Sequence, residues 1–229
     1  MQRLAVIIGA TGGIGSAIAT VAEVSDRYDR VIRLSRTSSP SLELLDEASI
    51  EAAARWLKEQ PGEIAFILDA TGALTLGDHK PEKSWRELDP SALADTFALN
   101  AIGPALFMKH FLPLMPRDGR SIFATLSARV GSISDNQLGG WYGYRAAKAA
   151  LNQLVRTASV ELKRKKPEAI CVALHPGTVR TQLTEGFAKT GLEVQDPEQA
   201  AKRLLTVVEG LRPEDTGGFF DHLGKPVSW

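Results

Sequence analysis

One cysteine and four histidines are all the thiol and imidazole side chains this chain of 229 residues has. A lone thiol excludes an internal disulfide and any cysteine-cluster metal site. Cys171 lies in the apolar run Ile170-Cys171-Val172-Ala173-Leu174 and reads as a small core residue. No histidine has ligand spacing to another, so no metal is expected. An excess of charge of either sign is missing too, with 27 basic and 27 acidic residues. That removes the electrostatic footprint needed to bind nucleic acid or an anionic membrane. No apolar run approaches the ~20 residues that span a bilayer. Met1-Gln2-Arg3 leads straight into Leu4-Ala5-Val6-Ile7-Ile8 with no basic-plus-apolar leader. The expectation is a cytoplasmic protein with neither nucleic-acid nor membrane partners.

What is present is a globular composition, 44% hydrophobic and 24% charged, without repeats, low-complexity tracts or a linker. A single domain covering 1–229 is expected. Short apolar runs recur, each followed by a longer segment of helical period. Strands are expected at Leu4–Ile8, Val31–Leu34, Ile64–Asp69, Ser121–Leu126, Ile170–His175 and Gly218–Asp221. Helices are expected at Gly13–Val24, Ile50–Gln60 (behind Asp46 and Ser49 as caps), Ser91–Met115, Tyr142–Arg164 and Pro197–Gly210. The alternation predicts an α/β fold, a doubly wound parallel sheet with helices on both faces. Strands that are apolar throughout, rather than every second residue, agree with burial on both sides. In such sheets ligands bind beyond the carboxyl ends of the strands.

The first of those ends carries Gly9-Ala10-Thr11-Gly12-Gly13-Ile14-Gly15, running directly into a helix. Glycines let the backbone turn tightly and approach a pyrophosphate, and the helix start offers free N–H groups to its charge. The glycines, Thr11 and Ile14 are therefore the candidate dinucleotide cradle. The second strand ends Leu34-Ser35-Arg36-Thr37. An acidic residue there would accept the ribose hydroxyl of NAD. Arg36 between two hydroxyls suits the 2′-phosphate of NADP(H) instead.

Tyr144-Arg145-Ala146-Ala147-Lys148 sets Tyr144 and Lys148 four apart, hence on one face of a helix. Carbonyl reduction needs a proton donor beside the hydride acceptor. A tyrosine titrates at about 10, and a neighbouring ammonium lowers that value.

The glycine spacing, Arg36 and the Tyr144/Lys148 pair together resemble the short-chain dehydrogenase/reductase family, over essentially the whole chain from Gly9. The resemblance implies a Rossmann-type fold and hydride transfer between NADP(H) and a small carbonyl or alcohol substrate. It makes Tyr144 the proton donor, and Lys148 the residue that holds the nicotinamide ribose and tunes the phenol. It implies that Asn100, in Phe97-Ala98-Leu99-Asn100-Ala101-Ile102-Gly103, anchors a water relay. Leu44 matches the segment that brackets the adenine. Ala70, Thr71 and Gly72 stand where the family usually has Asn-Ala-Gly and are expected to line the adenosine ribose. Pro176, Gly177, Val179 and Thr181 match its nicotinamide-carboxamide loop.

The family ends the strand before the tyrosine with two serines, the second catalytic. Here Leu126-Ser127-Ala128-Arg129-Val130-Gly131-Ser132 puts Ala128 on that position. Ser127 is taken as the candidate, with Ser132, or no serine, as the alternatives. A short substrate lid is expected at 181–196, with Leu183, Phe187 and Leu192 as contacts. Trp141 and Ile133 would complete a mostly apolar pocket. Family members pair through two long helices, here 91–115 and 142–164, with Phe107, Phe111, Leu151, Leu154 and Val155 as the apolar faces of a homodimer or homotetramer. The stretch Arg129–Tyr142 and the ending Phe219–Trp229 are similar to the subgroup of the bacterial C-factor cell–cell signalling proteins. The alternative function is therefore an NADP(H)-binding signalling or sensor protein with little turnover.

Overall fold

Six of the apolar runs form one parallel sheet in this computed structural model, which describes residues 2–77, 79–182, 184 and 194–229. They are β1 (Arg3–Ile8), β2 (Arg30–Leu34), β3 (Glu63–Asp69), β4 (Ser121–Leu126), β5 (Ala169–His175) and β8 (Phe219–Asp221). Their spatial order is β2-β1-β3-β4-β5-β8, while the two-residue strands β6 (Thr178–Val179) and β7 (Val194–Gln195) pair with each other. The chain lays β2 on one side of β1 and then crosses to β3 on the other. That reversal is a topological switch point, where a crevice opens beyond the strand ends. At the far border, Val227 N–H donates to Phe219 O and Asp221 N–H to Lys225 O, so the returning chain covers the outer edge of β8.

Residues along each strand alternate between two apolar layers. Ala5 and Ile7 pack with α1 (Gly13–Glu23) and α6 (Pro197–Gly210), which lie against each other. Leu4, Val6 and Ile8 face the layer of α2 (Glu47–Lys58), α4 (Gly103–Phe111) and α5 (Tyr142–Lys165). Asp46 caps α2 by accepting the Ala48 N–H, as expected. Ser49 Oγ instead accepts from Glu43 N–H and ties down the preceding loop.

The expected helix 91–115 is broken into α3 (Pro90–Phe97), a π-helical turn over Ala98–Ile102, and α4. Pro104 has no N–H to give the Asn100 carbonyl four residues back. The ladder slips instead, and Gly103 N–H bonds Ala98 O five residues back. By length and composition Pro90–Leu114 is apolar enough to cross a membrane, contrary to the reading that no segment approaches that requirement. In the fold its apolar face serves the core.

The same burial corrects the proposed pairing faces. Phe107, Phe111, Leu151 and Val155 are all fully buried within the chain, and only Leu154 of the five is exposed. An apolar stripe has one spacing whether it meets a partner or its own sheet. Phe107→Ala is therefore expected to destabilise the fold by about 3–5 kcal/mol. Denaturant unfolding at two protein concentrations checks this: the loss should be independent of concentration.

Candidate active site

The loop after β1 is shaped by contacts that no side chain could share. Gly9, at φ +80°, sends its N–H to Leu34 O. A Cβ on Gly15 would lie 2.3 Å from Gly9 O, and one on Gly13 would lie 2.7 Å from Thr181 Cγ2. Gly12 begins α1 without a side-chain cap, leaving the first N–H groups of the helix for a ligand. Thr11 is exposed and Ile14 partly buried beside them. Ala70 N–H donates to Ile8 O, which brings 70–72 alongside the glycine loop. These residues fit a pyrophosphate: the cradle is backbone-lined and carries no carboxylate.

At the end of β2, Arg36 is exposed and forms no ion pair with any described residue. Ser35 and Thr37 hydroxyls stand 3.2 Å apart. Leu44 packs against Gly103, where a Cβ would come within 2.5 Å of its side chain. It thus reaches from the β2–α2 loop to the start of α4.

Beyond β3 lies a polar centre. Asp69 is fully buried, and its two oxygens accept from Thr71 N–H, Thr71 Oγ1 and Thr125 Oγ1, the hydroxyls at 2.6 Å. Burial raises its pKa, opposed by these hydrogen bonds and by the charge of Lys148. Lys148 is buried as well, donates to Leu126 O at 2.9 Å, and is pushed down to about 8 by desolvation, with Asp69 pulling the other way. Gly72, at φ +136°, closes the group: a Cβ there would lie 3.0 Å from Asn100 Oδ1 and 3.3 Å from Lys148 Nζ. Asn100, held in the π turn, accepts from Ala73 N–H and donates to Ala73 O and Thr96 O. Its amide thereby fastens the 72–73 loop.

Tyr144 lies one turn before Lys148, whose Nζ is 5.8 Å from the phenol ring centroid. The expected lowering of the tyrosine pKa is not found; burial raises it. Ser127 is buried and donates to Asn152 Oδ1 at 2.7 Å, one turn further along α5. Its single proton is thus committed inside the protein, and Ala128 follows it. Ser132, also buried, accepts from Asp135 N–H.

Tyr144 also walls a cavity of about 160 Å³, with Leu74, Leu76, Pro81, Ala92 and Glu82 among its other sides. Glu82 Oε2 accepts Gly143 N–H and Glu82 O accepts Trp141 N–H, so this residue caps α5 from across the chain. Trp141 starts that helix at φ 53°, ψ 43°, among the described residues the one non-glycine with positive φ. Such a conformation costs about 1–3 kcal/mol. Its indole meets the Tyr144 ring edge to face at 6.3 Å.

After β5, Pro176 O accepts from Gln195 Nε2, Gly177 takes φ +80°, and Val179 is buried. Thr181 lies against Gly13, joining this loop to the glycine cradle. His175 is partly buried, its Nδ1 has no hydrogen-bond partner among the described residues, and desolvation pushes its pKa down to about 4, so it is neutral near pH 7. Leu183, Phe187 and Leu192 of the expected lid lie outside the described residues.

The structure therefore gathers Gly9–Gly15, Ala70–Gly72, Asn100, Tyr144, Lys148 and Pro176–Thr181 at one end of the sheet, and holds the Ser127 hydroxyl away on Asn152. Sequence reasoning missed Asp69, Thr125, Asn152 and Glu82. A carboxylate closing a fully apolar strand was the available signal for the first; the others are set by contacts distant in sequence.

The family pattern described as Enoyl-(Acyl carrier protein) reductase matches residues 9–215. The C-signal protein of Myxococcus xanthus is 38% identical over 62% of this chain and 82% of its own length. The 1-hydroxy-2-glutathionyl-2-methyl-3-butene dehydrogenase of a Rhodococcus species is 30% identical over 84% of the chain and 80% of its own length. Among solved structures, the NADPH-bound carbonyl reductase from chicken fatty liver superposes with a TM-score of 0.86 at 24% identity, covering 100% of this chain and 99% of the other. The Sniffer carbonyl reductase of D. melanogaster gives 0.82 at 20% identity, with coverage of 100% and 99%. With the glycine cradle, the switch-point sheet and the Tyr144–Lys148 helix face already in place, the match across nearly the whole chain makes it a member of the short-chain dehydrogenase/reductase family.

Proposed function

We propose that the protein is an NADP(H)-dependent oxidoreductase that interconverts a small carbonyl compound and its alcohol. The observation that carries this reading is the buried Tyr144–Lys148 pair opening, past Gly72, onto a glycine-lined cradle. Gly9, Gly12, Gly13 and Gly15, with the start of α1, would hold the pyrophosphate. Arg36, flanked by Ser35 and Thr37, would hold the 2′-phosphate, and Leu44 and Ala70–Gly72 the adenosine. Pro176, Gly177, Val179 and Thr181 would hold the nicotinamide carboxamide.

When bound, NADPH supplies the hydride that reaches the carbonyl carbon. Tyr144 gives its phenolic proton to the carbonyl oxygen, completing the alcohol. The Lys148 ammonium stabilises the phenolate left behind, and Asn100 keeps the 72–73 loop in register with Lys148. A bond from Ser127 to the substrate oxygen requires its proton to leave Asn152. Two copies would pair through α3–α4 and α5, whose exposed apolar side chains are Ile102, Leu154 and Val160.

A second reading, a cofactor-binding signalling protein with little turnover, is favoured by Ala128 and by the engaged Ser127 hydroxyl. Titration with NADPH and NADH, then a panel of aldehydes and ketones followed at the nicotinamide absorbance, separates the two. Tight NADPH binding with no turnover would select the sensor.

Three outcomes are expected if the reductase reading holds. Tyr144→Phe should lower turnover by about 10²–10⁴-fold while leaving NADPH affinity near the wild-type value; loss of both together would undo the assigned role. Arg36→Asp should weaken NADPH by about tenfold or more, as loss of a charge-assisted contact implies, and NADH far less. Lys148 carries its proton below about 8 and loses it above. The pH profile of kcat/KM for reduction should therefore be flat at neutral pH and fall as pH rises through that value.

A further inference from the structure

Lys148 has almost no contact with water, and the carboxylate that shares its surroundings, Asp69 at the end of β3, has none. Among the described residues the two make no hydrogen bond to each other. The Asp69 oxygens are filled instead by Thr71 N–H at 3.0 Å and by the Thr71 and Thr125 hydroxyls at 2.6 Å. That is the length of a hydroxyl bond to an ionised acceptor. Lys148 Nζ donates to Leu126 O, on the residue after Thr125. Carboxylate and ammonium are thus tied to adjoining residues of β4. From the other side Gly72, three residues beyond Asp69, would bring a Cβ within 3.3 Å of Nζ. Asp69 therefore acts on the lysine through space, where water does little to screen it.

Among the described residues no other charge takes this role. The 129–131 turn packs on Lys148, but its Arg129 guanidinium goes to Asp221 and Asp135. β5 offers Cys171, kept protonated by burial, and His175, neutral near pH 7. Asp95 of α3 is exposed, and the π turn contributes the uncharged Asn100. Glu82 is engaged with Gly143 N–H, and Arg145 reaches back to Gly139 O and Gly140 O. A lysine buried without an opposite charge loses its proton readily, in known cases at about pH 5–6.

We propose that Asp69 is a positioning residue of the active site, whose carboxylate keeps Lys148 in its ammonium form through neutral pH. Under the reductase reading that ammonium stabilises the phenolate Tyr144 leaves behind, so Asp69 sets the pH above which reduction fails. Its value to the chemistry rests on that reading; its hold on the lysine does not.

The test follows Lys148 directly, by NMR titration of the full chain carrying carbon-13 at the lysine Cε atoms. The signal of interest is the one missing from Lys148→Met. Asp69→Asn removes the charge and keeps the shape, since the Thr125 hydroxyl can turn to accept from the new amide. Thr125→Val keeps the charge and removes one of its hydrogen bonds. In Asp69→Asn the Lys148 midpoint should drop by about one pH unit or more, and the falling limb of kcat/KM should move down with it. In Thr125→Val Tm should fall while the midpoint stays at the wild-type value. A midpoint unmoved in Asp69→Asn would overturn the assignment, whatever the activity. One that moves as far in Thr125→Val would make the effect structural and overturn it too. A limb that stays put while the midpoint moves would overturn the role in reduction. If the wild type reduces no carbonyl and the lysine still follows Asp69, the reductase reading falls and the hold of Asp69 on Lys148 stands.

Discussion

An ammonium group taken out of water governs the functional end of this molecule. Lys148 is almost wholly buried, and a lysine in that position survives only with compensation close by. The Leu126 carbonyl accepts its hydrogen bond and the Asp69 carboxylate supplies opposite charge, while Thr71 and Thr125 satisfy the carboxylate in turn. Space for the side chain is made by two glycines. A Cβ on Gly72 would approach Nζ, and one on Gly131 would lie 2.8 Å from the lysine's own Cβ. The ends of β3 and β4 and the helix α5 are therefore fixed relative to one another around a single charge. Tyr144, one turn away on the same helix, inherits its position from that arrangement.

The parts of this site that were legible in the sequence are those with a local physical signature. Strand runs, the glycine loop leading into a helix, and the four-residue spacing of Tyr144 and Lys148 each follow from backbone geometry that neighbouring residues determine. Asn100 was legible as a residue, but not the π turn that holds it, although Pro104 four positions on carries that information in its missing N–H. The pairing faces failed for a different reason. Phe107, Phe111, Leu151 and Val155 obey helical periodicity, and periodicity does not distinguish a chain's own sheet from a partner. Ser127 shows the same limit at finer scale. Its place after β4 is readable, whereas the Asn152 amide that takes its proton lies on another element.

Stability and chemistry are in tension at several points of one small region. Trp141 holds a backbone conformation that a glycine would adopt freely, Gly72 and Gly177 take positive φ, and Lys148 and Asp69 are both buried ionisable groups. Each is offset by anchoring from elsewhere: Glu82 and Arg145 for the start of α5, Gln195 for the turn after β5. The layers on the two sides of the sheet, by contrast, are apolar and regular. The strain is confined to the loops beyond the carboxyl ends of the strands, where a rigid sheet can support it.

An open sheet has two borders, and the two are guarded by different means. At β8 the chain's own return past Lys225 and Val227 occupies the outward-facing backbone groups. At β2 the edge strand is five residues long and carries Arg30 and Arg33, the second paired with Glu23. Short, charged edges discourage another molecule from adding a strand. One guard is a backbone hydrogen-bonded cover by the chain itself and the other is electrostatic, so they respond differently to the medium. Concentrated salt screens the charges at β2 and leaves the covered border at β8 unaffected, which makes β2 the side from which edge-to-edge aggregation of the folded protein would begin.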